Sequence, residues 1–169
     1  MRAIVACDRK FGIGKDGGIP FKSDLAFFKQ LTMGSPVIMG RNTWKSLPKK
    51  PLSGRLNIVV STSYPSGRYS MTKDGEYFYV TKTLLEAADL AETLYPKKDA
   101  FVIGGSVLYR AALDLNLIDE IVMTRYGSIN ECDCFFPYGN ELEKMFPKWK
   151  VMELNNDVED PYIRTSYLK

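Results

Sequence analysis

Ala100-Phe101-Val102-Ile103-Gly104-Gly105-Ser106-Val107-Leu108-Tyr109 is the stretch that decides the fold. It opens with four consecutive apolar residues, the mark of a strand buried on both faces rather than one. Two glycines end the strand, and a segment of helical period, Ser106 to Leu113, begins at once. A strand running directly into a helix is half of a crossover unit. The same grammar recurs at Val37-Ile38-Met39, which passes through Gly40, Arg41, Asn42, Thr43 and Trp44 into an apparent helix. Further strand-length apolar runs are Ala3-Ile4-Val5-Ala6, Asn57-Ile58-Val59-Val60, Tyr77-Phe78-Tyr79-Val80 and Ile118 to Met123. Helical period marks Ser23 to Leu31, with Ser23 as N-cap, Asp24 in the first turn and Leu25, Phe28 and Leu31 on one face. It also marks Thr81 to Leu94, opened by a Thr cap. Lys148 to Glu153 and Tyr162 to Leu168 read as a terminal hairpin around Asn155-Asn156-Asp157. The order predicts an α/β fold, with a parallel sheet, flanking helices and an antiparallel C-terminal hairpin. Gly12 to Pro20, Pro48 to Gly54, Pro65 to Gly75 and Pro96 to Lys98 read as loops, none a linker, so residues 1–169 form one domain.

Composition narrows the chemistry. The 169 residues include no histidine, which removes His-based triads and His-containing metal sites. A proton handled near neutral pH then falls to a carboxylate, Lys, Tyr, Cys or water. Lys+Arg is 23 against 20 Asp+Glu, too even and too dispersed for a nucleic-acid face. Three cysteines, Cys7, Cys132 and Cys134, make no disulfide framework, and Cys132-Asp133-Cys134 lacks the second pair a metal site needs. No run reaches the length of a membrane span, and the first residues do not form a signal peptide.

Three strand ends carry groups suited to an anion. Gly104-Gly105 lets a ligand approach the backbone ahead of a helix N-terminus, although a plain tight turn would look the same. Arg41 and Thr43 follow Gly40, and Ser61-Thr62 ends another strand. Together they suggest an extended phosphorylated ligand along one edge of the sheet. Gly12-Ile13-Gly14-Lys15-Asp16-Gly17 matches G-x-G-x-x-G, but Ile19-Pro20 precedes any helix and no acid follows at the required distance. It reads as a mobile glycine loop. Asp24 stands one turn before Phe28, so acid and ring share a side. Facing a pocket, such an acid would be desolvated, holding its proton more readily and able to pair with a ring's N–H groups. An ordinary first-turn Asp favoured by the helix dipole is the other reading.

Taken in order along the chain, these residues resemble the dihydrofolate reductase family. The matching features are Gly14 with Ile19-Pro20; Asp24-Leu25 with Phe27-Phe28-Lys29; Pro36 to Arg41 with Thr43-Trp44; Leu52-Ser53-Gly54-Arg55 with Asn57-Ile58; Val102-Ile103-Gly104-Gly105 with Tyr109; Thr124; and Asp133 with Phe135-Phe136-Pro137. The resemblance implies a mostly parallel eight-stranded sheet and NADPH-dependent reduction of 7,8-dihydrofolate to tetrahydrofolate. Hydride would pass from nicotinamide C4 to pterin C6, with a proton added at N5. Asp24 and Thr124 would be the catalytic pair. Ile4, Val5, Ala6, Phe28, Leu52, Arg55, Ile103, Tyr109 and Thr124 would meet the substrate, Arg55 through its glutamate carboxylate. Ala6 and Gly14, Lys15, Asp16, Gly17, Gly18 and Ile19 would cover the nicotinamide, beside Ile103 and Tyr109. Gly104, Gly105, Ser106, Val107 and Leu108 would seat the pyrophosphate. Gly40, Arg41, Asn42, Thr43, Ser61 and Thr62 would surround the adenosine phosphates. No metal, nucleic acid or membrane is implied, and the protein would be a cytoplasmic monomer and an antifolate target.

Departures from the family pattern are visible too. Phe21 stands where a Trp is usual, and only Lys22-Ser23 separate it from Asp24, a shorter segment than is common. Val107 replaces a basic residue and Phe135 a histidine. Two other readings stay open: a same-fold reductase of a ribosylated pyrimidine, and a module that binds folate or NADPH without turnover.

Overall fold

The structure, a computed structural model, describes residues 1–71, 75–157, 159 and 161–169. Residues 72–74 of the Pro65–Gly75 loop reading lie outside them. The strands are β1 (Arg2–Cys7), β2 (Gly12–Gly14), β3 (Pro36–Gly40), β4 (Leu56–Val60), β5 (Gly67–Ser70), β6 (Tyr77–Thr81), β7 (Phe101–Val102), β8 (Glu120–Tyr126), β9 (Cys134–Phe135), β10 (Lys148–Asn155) and β11 (Tyr162–Leu168). The helices are α1 (Leu25–Thr32), α2 (Arg41–Ser46), α3 (Leu84–Leu94), α4 (Ser106–Asp114) and α5 (Leu142–Met145).

Nine strands form the main sheet in the order β10-β11-β8-β1-β7-β3-β4-β6-β5. The six from β8 to β6 run parallel, as the consecutive apolar runs predict. The C-terminal pair β10–β11 is antiparallel, and β11 joins β8 antiparallel. Strand β5 adds a ninth member at the far edge, antiparallel to β6. Its sequence, Gly-Arg-Tyr-Ser, has too little apolar alternation to stand out from a loop, and cross-strand pairing makes it a strand.

Both faces of the sheet are covered, because neighbours along one strand enter different cores. Ala3 and Val5 pack with α3 and α4 residues such as Leu84, Ala87, Leu108 and Ala112. Ile4 packs on the other face with Val37, Met39, Trp44 and Ile103, against Phe27, Phe28 and Leu31 of α1.

Two local expectations are corrected. Ser23 does not cap α1: residues 22–24 form a 3-10 turn, Asp24 takes the N-cap position, and its side chain makes no cap bond. Ser23 Oγ instead pairs with Tyr126 Oη at 2.9 Å. The Thr cap of α3 is Thr83, whose hydroxyl accepts from Glu86 N, rather than Thr81. The stretch Gly12 to Gly18, read as a loop, holds a short strand and a closed turn. After β2, Lys15 and Gly18 exchange backbone bonds of 3.0 and 2.8 Å around Asp16 and Gly17. Their φ values of 50° and 76° fit the mirror-image turn that two-residue hairpins favour.

Candidate functional site

The C-terminal ends of the parallel strands open into a cleft of about 860 Å³ between the sheet, α1, α2 and the N-terminus of α4. Ile4, Val5, Ala6, Asp24, Phe28, Leu52, Arg55, Ile103 and Tyr109 line it. So do Gly14, Gly17, Gly18, Ile19, Gly40, Arg41, Asn42, Thr43, Ser61 and Thr62, with Gly104, Gly105, Ser106, Val107 and Leu108. Lys15, Asp16 and Thr124 are not among the lining residues. Lys15 turns to Glu131 at 3.1 Å, and the Asp16 N–H donates to Asp133 Oδ2 at 2.9 Å, so both brace the hairpin from outside.

Asp24 is the buried carboxylate of the cleft, 5% exposed. Thr124 Oγ1 donates to its Oδ1 at 2.8 Å. Arg164 Nη2 donates to the same oxygen at 3.2 Å, and Arg164 Nε donates to Thr124 Oγ1 at 3.0 Å. These bonds explain why Asp24 cannot cap its helix: its carboxylate is held toward the sheet. Among the described residues Oδ2 accepts no hydrogen bond, so one oxygen remains to receive N–H donors from a ligand.

Around the acid the walls are apolar. Leu52 is fixed by Asn57, whose buried side chain accepts from Leu52 N at 2.8 Å and donates to the carbonyls of Leu52 and Arg55, both at 2.9 Å. Tyr109 Oη donates to the Ile4 carbonyl at 2.7 Å. Burial pushes that phenol up, so Tyr109 ties α4 to β1 as a protonated donor.

Arg55 differs from the surface cations. Burial pushes its guanidinium down from the ordinary value. It donates to Thr32 Oγ1 and the Ser53 carbonyl, each at 3.2 Å, and lies over the Phe28 ring at 5.7 Å. Among the described residues no carboxylate lies within ion-pair distance of it. A half-buried cation without an anion is suited to an anionic ligand.

The other end of the cleft is built for close backbone approach. Gly40 N–H donates to the Gly104 carbonyl at 2.8 Å, drawing two strand ends together. Gly104 has φ 116°, and a Cβ there would stand 3.3 Å from the Tyr109 ring. Gly105 occupies the N-cap of α4 with no side-chain cap, so that helix keeps its first N–H groups for a ligand. Arg41 donates to the Ser63 hydroxyl, and Lys82 Nζ donates to the carbonyls of Thr62 and Tyr64.

Sequence reasoning missed several residues here. Ser63 and Lys82 line the cleft, as do Lys29 and Phe21, which entered only as points of match with and departure from the family pattern. Phe21 is buried and stacks on Tyr126, ring centroids 5.0 Å apart. Arg164, buried in β11, carries no signal in its own segment, whose residues Tyr162–Leu168 do not alternate cleanly between polar and apolar. Cys132 packs so closely on Gly12 that a Cβ on that glycine would meet it at 2.5 Å. Among the described residues no group of three or more His, Cys, Asp or Glu is placed to hold a metal ion.

A sequence model described as dihydrofolate reductase matches residues 1–167. The chain is similar to the dihydrofolate reductase of Pneumocystis carinii, 32% identical over 179 residues, covering 94% of this chain and 84% of that one. It is similar to the dihydrofolate reductase of Schistosoma mansoni, 35% identical over 154 residues, covering 81% and 77%. The bifunctional dihydrofolate reductase-thymidylate synthase of Glycine max is 36% identical over 150 residues, 80% of this chain but 28% of the relative. The chain thus spans less than a third of the length of such bifunctional relatives.

Proposed function

Since the chain belongs to the dihydrofolate reductase family of oxidoreductases, we propose that it reduces 7,8-dihydrofolate to 5,6,7,8-tetrahydrofolate with NADPH. The observation that carries this reading is the pairing, in one cleft, of a buried carboxylate with an open oxygen and a desolvated, unpaired Arg55. A pterin with a glutamate tail has donors for the first and an anion for the second. A ribosylated pyrimidine offers no carboxylate to Arg55.

In this reading Asp24 Oδ2 accepts the N–H groups of the pterin's amino and amide edge, while Thr124 holds Oδ1. The acid promotes proton delivery at N5. Phe28 and Leu52 flank the ring system and exclude water, and Arg55 takes the glutamate carboxylate. The residues at the other end fit NADPH. Gly104 and Gly105 leave room that a Cβ would fill, the N-terminus of α4 is uncapped, and Arg41 and Lys82 supply positive charge. When bound, NADPH supplies the hydride, from nicotinamide C4 to pterin C6. The hairpin of residues 15–18 borders that region through Gly17 and Gly18. The reading makes the protein a cytoplasmic monomer with small-molecule partners. Among the described residues no helix is long and apolar enough to cross a membrane.

The test is NADPH consumption by purified protein with and without dihydrofolate. Dihydrofolate-dependent consumption blocked by methotrexate supports the reading. Binding of both ligands with no consumption overturns it in favour of a binding module, with Phe21 and its short connection to Asp24 as the place to look.

A further inference from the structure

Arg164 lies at a depth where arginine is rare, 5% exposed. Its Nε bonds Thr124, its Nη2 bonds Asp24, its Nη1 bonds Glu153, and its guanidinium lies 3.6 Å from the centre of the Phe27 ring. Desolvating such a cation is costly, and here each of its three nitrogens donates to an acceptor while the Phe27 ring covers one face.

Strand register builds the arrangement. Ala6 on β1 faces Thr124 on β8, Thr124 faces Arg164 on β11, and Arg164 faces Glu153 on β10. The four residues form one row from the cleft to the outer edge of the sheet. The last step depends on an irregularity in β10. Val151 pairs with Thr165 and Glu153 with Arg164, so Met152 is an extra residue in the ladder. In unbroken register Met152 would stand opposite Arg164. The bulge puts a carboxylate there instead. Tyr162 Oη donates to the other oxygen of Glu153 at 2.8 Å, holding it in place.

We propose that Arg164 is a positioning and specificity-determining residue. It fixes Asp24 through Oδ1 and offsets part of its charge, which shifts the cleft's relative preference away from a cationic 2,4-diamino ring and toward a neutral 2-amino-4-oxo pterin ring. This rests on the folate reading above. An isolated buried carboxylate draws a cation strongly. The guanidinium beside Asp24 lowers the negative potential that a cationic ring would meet, and Glu153, half exposed at the outer edge, cancels only part of that effect. Hydrogen-bond donors on a neutral ring keep their acceptor, Oδ2, in either case.

The test compares folate with methotrexate. They carry the same glutamate, so the Arg55 contact cancels. They differ in the ring, methotrexate having the 2,4-diamino form that takes up a proton against a carboxylate. Dissociation constants are measured for wild type, Arg164→Met, Arg164→Lys and Glu153→Gln. In Arg164→Met the preference for methotrexate over folate should rise by about tenfold or more, the scale of one relieved like-charge contact. Arg164→Lys keeps the charge and should stay close to wild type. Glu153→Gln leaves Arg164 without its outer counter-charge, so the preference should move the opposite way, below wild type. If Arg164→Met does not fold, the Lys and Gln variants still decide. An unchanged or raised preference in Glu153→Gln, or a preference in Arg164→Lys as high as that expected for the Met variant, overturns the assignment. Wild type that binds neither compound overturns the folate reading itself. Wild type that binds both, with equal ratios in every variant, overturns only the role of Arg164.

Discussion

Asp24 has one oxygen committed to Thr124 and Arg164 and one left open, and this division sets what its replacement should do. Asparagine keeps the size but puts an amide N–H2 where an acceptor is needed, either toward the ligand or toward Arg164. Asp24→Asn is expected to bind NADPH normally and to lose about 10²-fold or more in kcat, the scale of a positioned acid. Activity should recover in part at low pH, where the pterin arrives already protonated. Steady-state rates across pH check this, and unchanged turnover at neutral pH would remove Asp24 from the mechanism. Arg55 is the complementary case. Arg55→Leu removes the desolvated cation without touching the glycine end of the cleft. Folate affinity should fall by about 2–3 kcal/mol, as for loss of a charge-assisted pair, while NADPH affinity holds. Parallel titrations of the two ligands would expose an equal loss of both, which would contradict the assignment. Asp24 and Phe28 stand out in the sequence as an acid and a ring one helical turn apart, a local pattern that an ordinary first-turn Asp shares, and Arg55 is reached only through the family resemblance. Arg164 does not stand out, since its partners lie 140 and 40 residues away.

Among the elements, the segment from β1 to the hairpin of residues 15–18 depends on Asp8. That buried carboxylate accepts from Lys10 N and Gly12 N at 2.8 Å and from Asn130 N at 3.0 Å. Burial alone would push its pKa up, but the backbone donors of Asn130, Gly12 and Lys10 hold it below the ordinary carboxylate value. A lowered value in the fold means that the ionised form is the stabilising one. Its contribution is therefore present above the unfolded carboxyl value, about 4, and is lost as pH falls through the lower folded value. Asp8→Asn should cost about 2 kcal/mol near neutral pH and flatten the acid side of the stability curve. Denaturant unfolding of both proteins across pH would show it, and parallel curves would rule it out. The hairpin illustrates the limit of motif reading. Gly12 to Gly17 read as a glycine loop, and within it Asp16 and Gly17 both take positive φ in a closed turn, with Asp133 bonded to the turn from β9's flank. Pairing of β2 with β9 is a long-range event that spacing alone does not reveal.

At the scale of the whole molecule, the cleft joins parts of the chain that fold as one sheet. The acid end rests on β1, β8, β11 and the start of α1, and the glycine end on β3, β7 and α4. A ligand seated at the glycine end should therefore stabilise the entire fold. NADPH at about 100 times its Kd should add about 2.7 kcal/mol, or roughly 5–10 °C in Tm for a domain of this size. Thermal melts of wild type and Arg55→Leu should show the same NADPH shift. A shift lost in the variant would mean that the two ends of the cleft are not separable.

The sequence by itself determined the parallel core, the strand-to-helix turns and the glycine end of the cleft. These follow from consecutive apolar runs and from glycines at strand ends, which are local properties of the chain. Tertiary structure alone decided the rest. It made β5 a strand through a partner, turned Ser23 from a cap into a partner of Tyr126, and closed the glycine loop into a hairpin. It also set Arg164 between Asp24 and Glu153. The hairpin closes through a local turn, whereas the other three depend on long-range pairing. Register across strands, and a bulge of one residue within it, choose which distant side chains meet, and no pattern along a single segment carries that choice.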